Sequence, residues 1–138
     1  MTGETAILAG GCFWCLEAIY DDLIGVEHVE SGYIGGHVDN PSYREVCGKG
    51  TGHAEAIKID YDPTKVSYSE LLDIFFHIHD PTTKDRQGND VGPQYRSAVF
   101  PLNDDQRTAA EAAIKKAAEL WPDPIVTTIE MGKWWPGE

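Results

Sequence analysis

The chain has 138 residues, 41% hydrophobic and 25% charged, with a formal net charge of −12. That length suits one domain with its own core, and the acidic balance excludes a phosphate-backbone or anionic-membrane binder, which needs clustered Lys and Arg. No apolar run approaches the roughly 20 residues that cross a bilayer, and Met1 to Ala9 has no basic start or long apolar stretch, so a cytoplasmic protein without nucleic-acid or membrane partners is expected.

In chain order, ETAILAG reads as a short buried strand running into glycines. From Phe13 to Leu23 the apolar spacing predicts a helix, with Cys12 at the strand-to-helix junction. Val26 to Ile34 alternates as a strand and closes on Gly35-Gly36. The polar stretch HVDNPSYREVCGKGTGH reads as loop, with one helical turn near Tyr43 to Val46. Ala54 to Asp62 alternates as a strand before Pro63. Ser67 and Glu70 form a capping box for a helix running to about His79. DPTTKDRQGNDVGPQ is a second long polar loop, YRSAVFPL a strand, and Asn103 with Gln106 a cap for a helix to about Leu120. Glu111 and Lys115 make a supportive i,i+4 pair on it. IVTTIE is the last strand, and MGKWWPGE an aromatic tail.

Hairpin-like and crossover connections are mixed. The expected fold class is therefore α+β: a single domain over residues 1–138, with a mixed, mostly antiparallel sheet and packed helices. The two long polar loops are the places for binding and catalysis.

There are three cysteines, Cys12, Cys15 and Cys47, an odd number that makes no closed disulfide framework. Cys12 and Cys15 are three apart, a spacing open to several readings. Both are buried small hydrophobes, or a disulfide forms on local tightening of the first helical turn, or the helix N-terminus favours a Cys12 thiolate. A thioredoxin-like disulfide oxidoreductase is one alternative; a zinc module through Cys12, Cys15, Cys47 and His53 is another. The Cys47-to-His53 spacing is loose for a structural zinc pair, and His77 and His79 point to different sides of their helix. CGKGTGH is no Walker loop, because position 43 is Tyr where that pattern needs Gly.

Glu55 opens its strand among Ala54, Ala56 and Ile57. Packed there it would be poorly solvated and tend to stay protonated, a general acid; otherwise it is an ordinary edge-strand glutamate. Tyr43, Tyr95 and Asp90, in or beside the long loops, either surround a polar oxygen or pack as amphipathic residues.

Together the blocks GGCFWCLE, GYIGG, PSYREVCGKGTGHAEAIKIDYDP, HDPTTKDRQGNDVGPQYRS and FPLNDDQ resemble the A-type peptide methionine sulfoxide reductases. The resemblance covers Gly10 to about Gln106. It implies an α+β sandwich that reduces the S epimer of methionine sulfoxide. Cys12 would be the nucleophile, and Phe13 and Trp14 the apolar wall for the S-methyl group. Glu55 would protonate the sulfoxide oxygen, Tyr43 and Tyr95 would hold it, and Asp90 would complete the polar side. No cofactor or metal is implied; a thioredoxin- or glutaredoxin-type reductant is the expected partner, and the expected state is a monomer.

The residue types fit that chemistry. A sulfoxide oxygen leaves poorly unless it gains a proton or strong hydrogen bonds, and attack on sulfur leaves Cys12 as a sulfenic acid. The chain departs from the family pattern in two places: most members have Gly where Cys15 stands, and many carry recycling cysteines near the C-terminus, whereas this sequence has none after Cys47. The expected resolving thiol is Cys15, ahead of direct attack by an external thiol and then of Cys47.

Overall fold

The computed structural model describes residues 3–11, 13–36, 46, 52–87 and 90–136, by backbone alone at 13–15, 90, 93 and 136. Strand β1 (Glu4–Gly10) enters the core after its second residue and is followed by α1 (Phe13–Asp21). Strands β2 (Val26–Ile34) and β3 (Ala54–Tyr61) come next, then α2 (Tyr68–Ile78). A two-residue ladder follows, β4 (Arg86–Gln87) with β5 (Asp90–Val91), and then a short 3-10 turn, Pro93–Tyr95. The chain continues through β6 (Ser97–Val99), α3 (Asp104–Leu120), β7 (Thr128–Ile129) and β8 (Trp135–Pro136).

Local chemistry explains the boundaries. The Ser67 hydroxyl accepts from the Glu70 N–H, and the Glu70 carboxylate accepts from the Ser67 N–H, so the capping box starts α2. Asn103 Oδ1 accepts from the Gln106 N–H at the start of α3. Gln106 adds reach: its Oε1 accepts from the Leu102 N–H and its Nε2 donates to the Thr5 carbonyl, tying α3 to β1. Val46, where the sequence suggests a helical turn, is helical and fully buried. Two expectations are corrected. Helix α1 stops at Asp21 because the Leu23 N–H turns back to the Tyr20 carbonyl. The ion pair on α3 joins Lys116 to Asp73 of α2 at 3.3 Å, across the helix–helix contact; among the described residues no Glu111–Lys115 pair forms.

The main sheet has the order β7-β6-β1-β3-β2-β8. Every neighbouring pair is antiparallel except β6 with β7, which is parallel, so the sheet is mixed and the fold α+β, as expected. Odd positions of β3 (Ile57, Ile59, Tyr61) and even positions of β1 (Ala6, Leu8) share one core cluster with α1, α2 and α3. Even positions of β3 and odd positions of β1 turn to the other face, where Ala9, Ala54, Ala56 and Ala98 are fully buried with Ile34 and Phe100. No helix among the described residues is long and apolar enough to cross a membrane.

Candidate functional site

The site residues gather where β1 and β2 end and β3 and β6 begin. The ladders pair Gly10 with Ser97 and Tyr33 with both Glu55 and Trp135. Continuing the Leu8–Ile57 register by two residues on each strand brings Gly10 across from Glu55. One line across the sheet therefore reads Ser97, Gly10, Glu55, Tyr33, Trp135, in the order β6-β1-β3-β2-β8. Side chains on one such line share a face, and the face is the helix-covered one, since Val99, Leu8, Ile57 and Tyr33 all lie in its core.

Glu55 is 2% exposed on that line, so the reading of it as a solvated edge glutamate is excluded. Gly10 is the residue two before Cys12, and α1 starts at the residue after it, Phe13. Tyr95, half-buried, ends the 3-10 turn two residues before Ser97. Asp90 lies on β5, its backbone opposite Gln87. Cys12, Tyr43 and Cys47 lie outside the described residues, as do the side chains of Phe13, Trp14, Cys15 and Asp90. The fold thus brings the described candidates Glu55 and Tyr95, and the chain on both sides of Cys12, to one end of one sheet.

His53 of the zinc reading is 2% exposed, and its Nδ1 accepts from the Gly36 N–H at 3.1 Å. That bond ties the start of β3 to the end of β2. His77 and His79 diverge as expected: His77 is exposed, with Nδ1 donating to the Asp73 carbonyl at 2.6 Å, while His79 is buried.

Several residues that hold this end together are not marked as supports by the sequence. His79 donates from Nδ1 to the Phe75 carbonyl at 2.5 Å, so its Nε2 accepts from Ser97 Oγ at 2.7 Å. Ser97 Oγ in turn lies 2.7 Å from Thr127 Oγ1 and accepts its proton. Burial pushes the His79 ring down to about 4, against the opposing pull of the Phe75 carbonyl and the Asp80 charge. The neutral ring lies against Gly10, where a Cβ would come 3.1 Å from His79 Cγ and 2.9 Å from the Phe75 ring.

Arg96 does comparable work on the other side. Its Nε and one terminal nitrogen donate to both carboxylate oxygens of Glu130 at 2.9 Å, and the other terminal nitrogen donates to the Gly52 carbonyl at 3.0 Å. A Cβ at Gly35 would sit 2.7 Å from the guanidinium, so that glycine, at φ +89°, is the seat of the Arg96 head. Partial burial would raise the Glu130 carboxyl, but hydrogen bonds from Arg96 and Thr128 outweigh it and hold it below the usual carboxylate range. The glycine doublets were the available signal for both supports, since a bare backbone often marks a close approach.

The arrangement defines a class: an α+β domain with a buried carboxyl group on the strand beside the one that leads into a cysteine motif. The sequence profile of the peptide methionine sulfoxide reductase family matches residues 4–138. The peptide methionine sulfoxide reductase MsrA of Erwinia tasmaniensis is 58% identical over 139 residues, covering 100% of this chain and 78% of that relative. Among solved structures, reduced Mxr1 from Saccharomyces cerevisiae superposes with a TM-score of 0.93 at 34% identity, over 99% of this chain and 80% of that one. Mxr1 in complex with Trx2 gives 0.73 at 26% identity, over 97% of this chain and 80% of that one. The chain belongs to the peptide methionine sulfoxide reductase family. It is an enzyme that reduces methionine sulfoxide, and that reaction takes the place of the zinc module and of the general disulfide oxidoreductase as its function.

Proposed function

We propose that the chain reduces the S epimer of methionine sulfoxide by attack of the Cys12 thiolate on the sulfoxide sulfur. The observation that carries this reading is the burial of Glu55 directly across from Gly10. A carboxyl group withdrawn from water favours its neutral form, and a neutral acid delivers the proton that the sulfoxide oxygen needs in order to leave. Tyr95 and Tyr43 donate hydrogen bonds to that oxygen, and Asp90 completes the polar side. Phe13 and Trp14 receive the methyl group.

The thiolate bonds to the sulfoxide sulfur as the oxygen takes the proton from Glu55; the hydroxyl then passes to the Cys12 sulfur as the bond between the two sulfurs breaks, so that methionine is released, its sulfur reduced, and Cys12 is left oxidised to a sulfenic acid. The Cys15 thiol then displaces the sulfenic oxygen as water and leaves a Cys12–Cys15 disulfide, which a dithiol reductant of thioredoxin or glutaredoxin type returns to two thiols. The Trx2 complex of the structural relative supports that choice of donor. The chain works as a single catalytic domain, as a monomer and in the cytoplasm, a setting that keeps its thiols reduced between turnovers.

The test uses separate R and S epimers with a dithiol reductant. Turnover of S alone, lost in Cys12→Ser and cut about 10²-fold or more in Glu55→Gln, is the expected result. Equal turnover in Cys12→Ser would remove the nucleophile, and a near-normal rate in Glu55→Gln would remove the acid. After one turnover without reductant, mass spectrometry should find Cys12 linked to Cys15; a Cys12–Cys47 link would reassign the resolving thiol.

A further inference from the structure

Gln87 stands three residues before Asp90 in sequence and directly opposite it in the β4–β5 ladder. Its amide group is spent on one stretch of backbone. Oε1 accepts from the Asp80 N–H at 2.9 Å, and Nε2 donates to the Asp80 carbonyl. An amide bonded at both ends has little freedom left, so the stem behind it is fixed as well. That stem lies against Gly11, the residue before Cys12. A Cβ at Gly11 would come 2.6 Å from Gln87 Cγ and 2.9 Å from Gln87 Cβ, and the Gly11 backbone has φ +99°.

Asp80 follows His79, whose ring lies against Gly10. The segment from His79 to Gln87 therefore supports two consecutive glycines with two side chains, and each support occupies the space where a glycine Cβ would be. We infer that Gln87 is a positioning residue for sulfoxide reduction: clamped on the Asp80 backbone, its stem sets the Gly11 turn that delivers Cys12. The inference rests on the reading of Cys12 as nucleophile. Gln87 acts through the Gly11 backbone and, along the hairpin ladder, keeps that turn in step with Asp90. Such an effect is large at short range, because a misplacement of about 1 Å can cost about 10²-fold in rate.

Two variants test it. Gln87→Met keeps the length of the stem and loses both amide bonds; Gln87→Glu keeps an acceptor for the Asp80 N–H and loses the donor. Two rates are measured on each folded variant: single-turnover formation of methionine from methionine sulfoxide without reductant, and alkylation of Cys12 by iodoacetamide followed by mass spectrometry. Reduction should fall about 10-fold or more in Gln87→Met and less in Gln87→Glu, while alkylation stays within about twofold of wild type. A support with only a structural role would move both rates together or neither, and either pattern overturns the inference. Turnover lost in Cys12→Ser alongside a normal Gln87→Met rate would overturn the Gln87 role alone. Turnover retained in Cys12→Ser would overturn the reading beneath it.

Discussion

Gly10-Gly11 and Gly35-Gly36 close β1 and β2 at the same end of the sheet, and a polar side chain from the second half of the chain occupies each turn. At Gly11 that side chain is neutral Gln87, anchored on backbone, with the uncharged His79 ring beside it. At Gly35 it is the Arg96 cation, anchored on the Glu130 carboxylate. The two turns share a geometry and differ in electrostatics. The two side chains that support Gly10 and Gly11 carry no net charge. Beside His53 the support is an ion pair, with side chains 14% and 25% exposed, in a place where partial hydration tolerates it.

The largest effects are expected at the glycines. Gly11→Ala places a side chain at φ +99° and into the Gln87 stem; it should cost about 2–4 kcal/mol in urea unfolding and lower the reduction rate about 10²-fold. Gln87→Ala in the same chain should recover part of the stability and little of the rate, since it removes the contact with Gln87 Cγ but leaves the one with Cβ and the backbone strain.

Acid should separate the two turns. The folded His79 ring sits at about 4 against an ordinary 6.5, so its contribution is fully present above 6.5 and is lost as pH falls toward 4. The loss is about 3 kcal/mol across that window. His79→Gln has no proton to gain and should flatten the stability profile between these pH values. Glu130 acts lower on the scale: its folded value is depressed, so its contribution is present above the ordinary carboxylate range and is lost as pH falls through the folded value. Glu130→Gln should leave the His79 window intact and flatten only the more acidic limb. Thermal unfolding of the three chains from pH 7 to pH 3 checks both. The smallest effect is expected of Arg96→Lys, which keeps a cation and loses the fork, at about 1 kcal/mol; a full loss of folding there would place far more weight on this ion pair than its partial exposure allows.

Sequence legibility followed the range of the contacts. Strand Val26–Ile34, the Ser67–Glu70 box and the end of α3 at Leu120 were readable because alternation and capping act within a few residues. The β4–β5 ladder and β8 were not, since two-residue strands carry no period and their partners are set by the rest of the fold. Of the candidate site, the neighbours of Glu55 left its burial open and the structure decides it, while the acid role comes from the motif around it. Gln87, His79 and Arg96 were hidden, because each is anchored by hydrogen bonds to residues between 4 and 44 positions away and packs on a glycine farther off still. Lys116 illustrates the same point in miniature: proximity in sequence offered Glu111 to Lys115, and the folded chain offered Asp73 to its neighbour.

The aromatic tail has a consequence for how the molecule meets others of its kind. β8 pairs with β2 at Gly32 and Tyr33, and the Trp134 ring lies where a Gly32 side chain would be, its Nε1 donating to Glu30 at 2.8 Å. A bare β2 would offer a row of unpaired amides and carbonyls, an open template for another chain. The short strand and its indole cover that template at Gly32 and Tyr33 and leave there only a two-residue outer edge, too short to make a good template for edge-to-edge aggregation.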